Sequence, residues 1–166
     1  MSLNFNAREI YSIGVEIETN GKSFYETAAK KSADKAVREF FQELAGWESQ
    51  HIVLFQKLLD ELPPGAGTAD IFDPQGEAEA YLRATADSHV FIKNKDIAGL
   101  VAECKSAHEI LAVAMTFEKD SVVFYTAMRK VVAPNLGQEK IDMLIDEELK
   151  HIGILSQRQR KLAAKA

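Results

Sequence analysis

Apolar residues recur at intervals of three and four along four long stretches of the chain. This spacing puts them on one face of a helix, whereas the strict alternation of a half-buried strand is almost absent. The pattern predicts an all-α protein with four long helices: helix A from about Ala7 to Lys31, helix B from about Lys35 to Leu62, helix C from Ser106 to about Val132, and helix D from Asn135 to about Leu162.

Local signals mark the ends of these helices. In a capping box, the cap side chain and the third helical residue exchange hydrogen bonds with backbone amides. Three pairs have this spacing: Asn6 with Glu9, Ser106 with Glu109, and Asn135 with Gln138. Helix B is expected to end at Pro63-Pro64-Gly65, because proline lacks the amide donor and restricts the residue before it.

Residues 63 to about 95 form one long connection between helices B and C. Its first part is acidic and turn-rich, a short helix is predicted from Glu77 to about Asp87, and the stretch from Asp96 is also compatible with a helix. A single long connection between the second and third helices of a bundle is the ferritin-like crossover. We therefore expect a ferritin-like four-helix bundle, formed by residues 1–166 as one domain.

The two halves of the chain align without gaps at an offset of 100 residues. Two helix pairs of one design, packed about a pseudo-twofold axis, would bring equivalent side chains to the same place from opposite sides. The matching pairs include Glu18 with Glu118, Phe24 with Phe124, Tyr25 with Tyr125, Glu48 with Glu148, and His51 with His151.

The Glu-x-x-His motifs of helices B and D put a carboxylate and an imidazole on one face of each helix. Apolar neighbours such as Leu44 and Leu144 turn these faces inward. Burying four carboxylates costs several kcal/mol each unless cations compensate. A lone Glu from each of two helices with a Glu-x-x-His from each of the other two is the ligand set of di-iron and di-manganese bundles. The expected metal ligands are Glu18, Glu48, His51, Glu118, Glu148 and His151.

The segments from Ile17 to Tyr25 and from Phe117 to Tyr125, each followed by a Glu-x-x-His, resemble the rubrerythrin family, and the resemblance covers nearly the whole chain. It implies a site for two iron ions, although manganese or zinc can occupy such ligands. In that family each lone Glu binds one iron, the motif Glu residues bridge or chelate, and each His completes one metal. Tyr25 and Tyr125 are then expected to hydrogen-bond the metal-binding carboxylates, although packed aromatics are the alternative.

The chain departs from rubrerythrins in two respects. Ser121 stands where rubrerythrins carry a further Glu, and one cysteine cannot build the four-thiolate rubredoxin centre that supplies their electrons. Any reductant must therefore come from outside, for example from a rubredoxin-like protein. Gly21 and Ser121, one turn beyond Glu18 and Glu118, either leave room for a small oxidant or allow close helix packing.

The leading reaction is reduction of hydrogen peroxide to water at the two-metal site. Dioxygen is the alternative oxidant. Three other functions fit the same ligands: iron oxidation and storage as in bacterioferritin, a di-manganese site with catalase-like activity, and a metal-binding or interaction module without turnover.

Composition and charge limit the binding partners and the cellular location that we expect. A net charge of −5 and a pI near 5.4 argue against nucleic-acid binding. No apolar run approaches the roughly 20 residues of a membrane span, and no secretory signal is visible, so we expect a soluble cytoplasmic protein. A homodimer is expected as well.

The remaining ionisable residues are expected to lie outside the site. Cys104 reads as a buried small hydrophobe, and His89 and His108 are predicted to have surface or packing roles. Four further carboxylates are predicted to be solvated, because none of them has both an equivalent Glu in the other half of the repeat and a position on the inward face of its helix. These are Glu16, Glu43, Glu103 and Glu147.

Overall fold

The computed structural model of the protein describes residues 6–64, 73, 75–93 and 96–164, and the described residues contain helices and no β-strand. The α-helices are α1 (Ala7–Lys31), α2 (Lys35–Asp60), α3 (Glu77–Ser88), α4 (Val90–Lys93), α5 (Ile97–Glu103), α6 (Ala107–Val131) and α7 (Gln138–Ala163). The long helices α1, α2, α6 and α7 are the predicted helices A, B, C and D. The turn-rich start of the predicted crossover, residues 65–72, lies outside the described residues.

The long helices pack as two antiparallel hairpins. Helix α1 lies along α2, α6 lies along α7, and α1 also contacts α6. The crossover helices cover this arrangement, with α3 against α6 and with α4 and α5 against α1. The interior between the hairpins is rich in aromatic side chains with no exposed surface, among them Phe24, Phe41, Phe55, Phe117 and Phe124. Each such side chain contributes about 1.5–3 kcal/mol by its removal from water.

Helix α1 begins with the predicted capping box. The Asn6 side chain accepts a hydrogen bond from the Glu9 amide at 2.9 Å, and the Glu9 carboxylate accepts one from the Asn6 amide at 3.2 Å. At α6 only half of the box forms as expected. Ser106 accepts from the Glu109 amide, but the Glu109 carboxylate accepts from the amide of Lys105.

The predicted cap of helix D by Asn135 is wrong. Pro134–Leu136 form a 3₁₀ turn, and Gly137 precedes α7 in the left-handed region, at φ +104°. The backbone conformation requires glycine here, and a Cβ would lie 2.3 Å from Cδ2 of Leu58, so the Leu58 side chain would have to shift. The Gln138 side chain donates instead to the carbonyls of Arg129 and Val132, at the end of α6.

Helix α2 ends at Asp60, two residues before the predicted Leu62. Leu62 precedes Pro63, and the residue before a proline is disfavoured in helical geometry. Within the described part of the chain, no helix is long and apolar enough to cross a membrane. Cys104 is buried, as predicted, and its thiol donates to the carbonyl of Leu100.

Candidate metal centre

Six ionisable side chains from the four long helices meet in the interior of the bundle. Helices α1 and α6 each contribute one Glu, and α2 and α7 each contribute a Glu and a His from successive turns. The four carboxylates have no exposed surface, and the two imidazoles are 2% and 5% exposed. These residues are Glu18, Glu48, His51, Glu118, Glu148 and His151.

Their ligand atoms form two groups with a shared member. In the first group, one atom from each of Glu18, Glu48, His51 and Glu148 lies within 4.8 Å of all the others. In the second, the same holds for Glu48, Glu118 and His151. Glu48 belongs to both groups and therefore links them. The structure therefore brings together all six residues that the sequence singled out.

Each imidazole presents Nδ1 to the carboxylates. Nδ1 of His51 lies 3.1 Å from Oε1 of Glu148 and 3.3 Å from Oε2 of Glu18. Nδ1 of His151 lies 3.0 Å from Oε2 of Glu148 and 3.5 Å from Oε2 of Glu118. Glu148 thus places one oxygen beside each histidine, which is the placement that a bridging carboxylate needs.

The two repeat-related tyrosines each contact the lone Glu of the other half. The Tyr25 hydroxyl donates to Oε1 of Glu118 at 2.6 Å, and the Tyr125 hydroxyl donates to Oε1 of Glu18. Burial, followed by the charges of the neighbouring carboxylates, raises the pKa of both phenols well above the usual value. Both therefore stay protonated and act as donors, and Oε2 of each Glu is left facing the cluster.

The pKa values of Glu48, Glu118 and Glu148 shift in different directions, because burial raises all three and the histidine hydrogen bonds lower that of Glu148. The pKa of Glu48 is raised by burial and by the charge of Glu18, and the pKa of Glu118 is raised by burial and by the charge of Glu148. Burial also opposes ionisation of Glu148, but hydrogen bonds from His151 and His51 outweigh it and lower the pKa of this carboxyl. Glu148 is thus the anion to which the imidazoles are paired.

The histidines show the complementary shift. Burial alone would lower the pKa of His151, but hydrogen bonds to Glu118 and Glu148 raise it to about 9. The pKa of His51 is likewise raised, against burial, by Glu148 and Glu18. Without metal ions the cluster holds protons in their place, and metal binding must displace those protons.

The donor set fits two cations. Oε2 of Glu118 and Oε1 of Glu148 each lie beside a histidine Nδ1, at 3.5 Å and 3.1 Å, whereas both oxygens of Glu48 are buried without a hydrogen-bond partner. Buried carboxylate oxygens in that condition are costly unless a cation contacts them. Four carboxylates and two imidazoles are ligands that iron and manganese accept. The cluster therefore fits a dinuclear metal site.

Gly21 does not leave room for an oxidant. A Cβ at this position would lie 2.5 Å from Cζ of Phe117, so the ring of Phe117 fills the space and the helices pack closely there. Ser121, its repeat mate, is fully buried, and its hydroxyl lies 3.2 Å from Nε2 of His89. The structure thus shows close helix packing at Gly21, which is the alternative interpretation of these small residues.

His89 has the predicted packing role and one polar contact that the sequence did not reveal. Its Nδ1 accepts the amide hydrogen of Phe91, so Nε2 carries the ring proton and donates it to Oγ of Ser121. The ring also packs edge-on against Phe117. Burial lowers the pKa of His89 to about 4, against the charge of Glu148, so it is neutral at physiological pH. His108 is exposed.

The prediction that Glu147 is only solvated, which is based on its lack of an equivalent Glu in the other half, is incomplete. It is half-exposed, and its Oε2 lies 3.0 Å from Nε2 of His51. The other three carboxylates predicted to be solvated are exposed, namely Glu16, Glu43 and Glu103. Glu147 precedes a motif Glu and therefore lies beside the inward face of α7, but the sequence alone does not say which residue of α2 is opposite.

A cavity of about 240 Å³ opens at the outer edges of the two histidines, between α2 and α7. It is lined by Trp47, Gln50, His51, Glu147, Lys150, His151 and Ile154. The indole of Trp47 stacks on His151, with ring centroids 4.7 Å apart and planes 10° from parallel. The imidazoles thus separate the buried carboxylates from this opening.

Comparisons with known proteins support the fold. A scan against protein-family models found no match, and a search of curated proteins found no relative. Among solved structures, the chain is similar to a Thermotoga maritima protein that was provisionally assigned as a ferritin-like diiron-carboxylate protein. The similarity has a TM-score of 0.63 at 19% sequence identity and covers 94% of this chain and 95% of that one. The chain therefore has a ferritin-like fold.

Proposed function

We propose that the protein is a di-iron oxidoreductase of the rubrerythrin type, which reduces hydrogen peroxide with electrons from an external donor. The observation that carries this proposal is the buried cluster of four carboxylates and two imidazoles, in which both oxygens of Glu48 lack a hydrogen-bond partner. The Thermotoga maritima protein of similar fold, with its provisional diiron-carboxylate assignment, adds support.

The residues divide into two metal positions. Glu18 and His51 would hold one metal, Glu118 and His151 would hold the other, and the motif carboxylates Glu48 and Glu148 would serve both. Glu48 is shared by the two groups of ligand atoms, and Glu148 has one oxygen beside each histidine. Four carboxylates carry −4 and two divalent ions carry +4, so the loaded core is neutral. This balance favours two metals over one.

Two iron ions bound there would supply the two electrons that, with two protons, convert one hydrogen peroxide into two waters. The chain holds two of these carboxylates in place, because Tyr25 fixes one oxygen of Glu118 and Tyr125 fixes one oxygen of Glu18. Aromatic side chains exclude bulk water from the buried side of the site.

Re-reduction requires a partner. Cys104 is the single cysteine, so the chain has no four-thiolate iron centre of its own. We propose that a rubredoxin-like protein or a small reductant supplies the electrons. Manganese or zinc could occupy the same ligands, and the homodimer and the cytoplasmic location stay predictions from the sequence.

The decisive experiment is anaerobic loading with Fe(II), followed by stopped-flow mixing with hydrogen peroxide and, separately, with dioxygen. We expect two iron ions per chain, faster oxidation by peroxide than by dioxygen, and return to the reduced state when a donor is added. Binding of one metal at saturation would refute the dinuclear site. Faster oxidation by dioxygen, with no return to the reduced state, would refute the peroxidase.

Iron storage is the alternative function, and the same experiment distinguishes it from peroxide reduction. A storage protein would turn over added Fe(II) in excess of two per chain and pass it to a mineral, whereas a reductase keeps its two ions. Sizing of the protein discriminates further, because storage needs a large shell. A small assembly that retains its iron would favour the reductase.

A further inference from the structure

The outer edges of the two site histidines differ, although the inner edges are alike. Both imidazoles direct Nδ1 toward buried carboxylates, and both border the cavity between α2 and α7. At His51, Nε2 faces the carboxylate of Glu147 at 3.0 Å. At His151, the indole of Trp47 lies over the face of the ring at 4.7 Å. No described carboxylate lies within ion-pair distance of Nε2 of His151.

Glu147 and Trp47 occupy equivalent places in the two halves. They are related by the same offset of 100 residues that relates His51 to His151, and each directly precedes a motif Glu. The six ligands and the two tyrosines follow this repeat, but this pair does not. A carboxylate therefore stands in one half where an aromatic ring stands in the other, and both contact the histidine of the opposite hairpin.

The Glu147 carboxylate affects the tautomer of His51 and the strength of its Nδ1 as a metal ligand. By accepting the Nε2 proton, Glu147 fixes the tautomer that leaves a lone pair on Nδ1, and it makes that nitrogen a stronger donor to a metal. The indole of Trp47 holds the plane of His151 by stacking but offers no acceptor to its Nε2. Loss of such a carboxylate partner typically weakens metal binding about 10- to 100-fold.

We propose that Glu147 is a positioning residue for His51, and that the Glu147–Trp47 difference makes the two metal positions unequal. The metal beside His51 binds more tightly, and the metal beside His151 is weaker and exchanges more readily. This inference rests on the proposed dinuclear site and extends it, because it states which position fills first and which loses its metal first.

The test is an anaerobic titration of the apo protein with Co(II), followed by visible absorption and by equilibrium dialysis. The wild type should fill in two steps of different affinity. Glu147→Leu should weaken the tighter step about 10- to 100-fold and leave the other unchanged. Glu147→Gln keeps a neutral acceptor for the Nε2 proton and should lose less. Circular dichroism of the apo variants should match the wild type, because Glu147 is half-exposed and its replacement does not change the buried core.

Two further backgrounds remove the effect of one metal on the other. In His151→Ala, where the His51 position remains, Glu147→Leu should lower Co(II) affinity, and in His51→Ala it should not. Conversely, Trp47→Glu should tighten the weaker step of the otherwise wild-type chain, whereas the matched Trp47→Gln should not. This gain cannot come from a merely structural role.

The outcomes separate this inference from the proposed function. Two Co(II) ions bound with equal affinity, and no weakening by Glu147→Leu, would overturn the inequality while leaving the dinuclear site intact. Fewer than two ions bound by the wild type would overturn both. Equal weakening of both steps by Glu147→Leu would also contradict a role confined to His51.

Discussion

Tyr25 of α1 donates a hydrogen bond of 2.6 Å to Oε1 of Glu118 on α6. Each residue belongs to a different half of the internal repeat, and their repeat mates, Tyr125 and Glu18, form the same contact in the opposite direction. The two hydrogen bonds therefore join the hairpins across the buried cluster of Glu and His side chains. They also orient the carboxylates of Glu118 and Glu18, because each hydrogen bond uses Oε1 and leaves Oε2 to face the cluster.

Tyr25→Phe is expected to destabilise the metal-loaded protein more than the apo protein. A hydrogen bond to an ionised carboxylate contributes about 1.5–3 kcal/mol, and Glu118 is fully ionised only when a metal is bound. Thermal unfolding of both forms measures the difference. Tyr125→Phe is the matched variant, because it removes the equivalent hydrogen bond to Glu18. Equal loss in the apo and loaded forms would indicate that the phenols only pack.

Metal affinity should fall as the pH falls. The carboxyls of Glu48 and Glu118 have raised pKa values, and so have the imidazoles of His51 and His151, so the apo site holds protons that a metal must displace. Protons compete better at lower pH, and loading should release them. Calorimetric titration in two buffers of different ionisation enthalpy measures this release. Identical heats in both buffers near pH 7 would contradict it.

Glu48→Gln should abolish binding of the metal pair and stabilise the apo protein. Both oxygens of Glu48 are buried without a hydrogen-bond partner, beside the charge of Glu18. Gln does not ionise, so the apo variant avoids the cost of burying this carboxyl, which is about 1.4 kcal/mol for each unit by which its pKa is raised. Chemical denaturation of the apo proteins, with metal analysis of the loaded ones, tests both parts. A less stable apo variant would mean that Glu48 has a structural role independent of metal.

His89 should make the apo protein lose stability as the pH falls from about 6.5 to about 4. The folded state keeps this buried imidazole neutral down to a pKa of about 4, whereas the unfolded chain takes up a proton near 6.5. At 1.36 kcal/mol per pKa unit the loss is at most about 3 kcal/mol. It is absent above pH 6.5, where both states are neutral.

His89→Asn is the control for this pH dependence. Asparagine can still accept the Phe91 amide hydrogen at the start of α4 but does not titrate. Comparison of the two apo proteins by urea denaturation cancels the contribution of the metal ligands, including the nearby Glu148. Parallel stability curves between pH 4 and 6.5 would show that His89 takes up its proton in the folded state as readily as in the unfolded one.

The long helices were predictable because their signals are local. Apolar spacing and the Asn6–Glu9 capping box placed α1 at its observed bounds of Ala7 and Lys31. The misplaced cap of α7 shows the limit of such signals. Asn135 and Gln138 have the right spacing, but the left-handed backbone of Gly137 and its contact with Leu58 decide where the helix begins. Leu58 lies on another hairpin, so no local pattern could show this contact.

The sequence by itself identified the six residues of the cluster, because the repeat and the Glu-x-x-His spacing are properties of the chain and of helix geometry. Only the tertiary structure decided which side chains meet across helices. It paired Tyr25 with Glu118, filled the space at Gly21 with Phe117, and placed Glu147 against His51. The physical reason is that helical periodicity fixes the direction in which a residue points, whereas its partner depends on how the two hairpins pack.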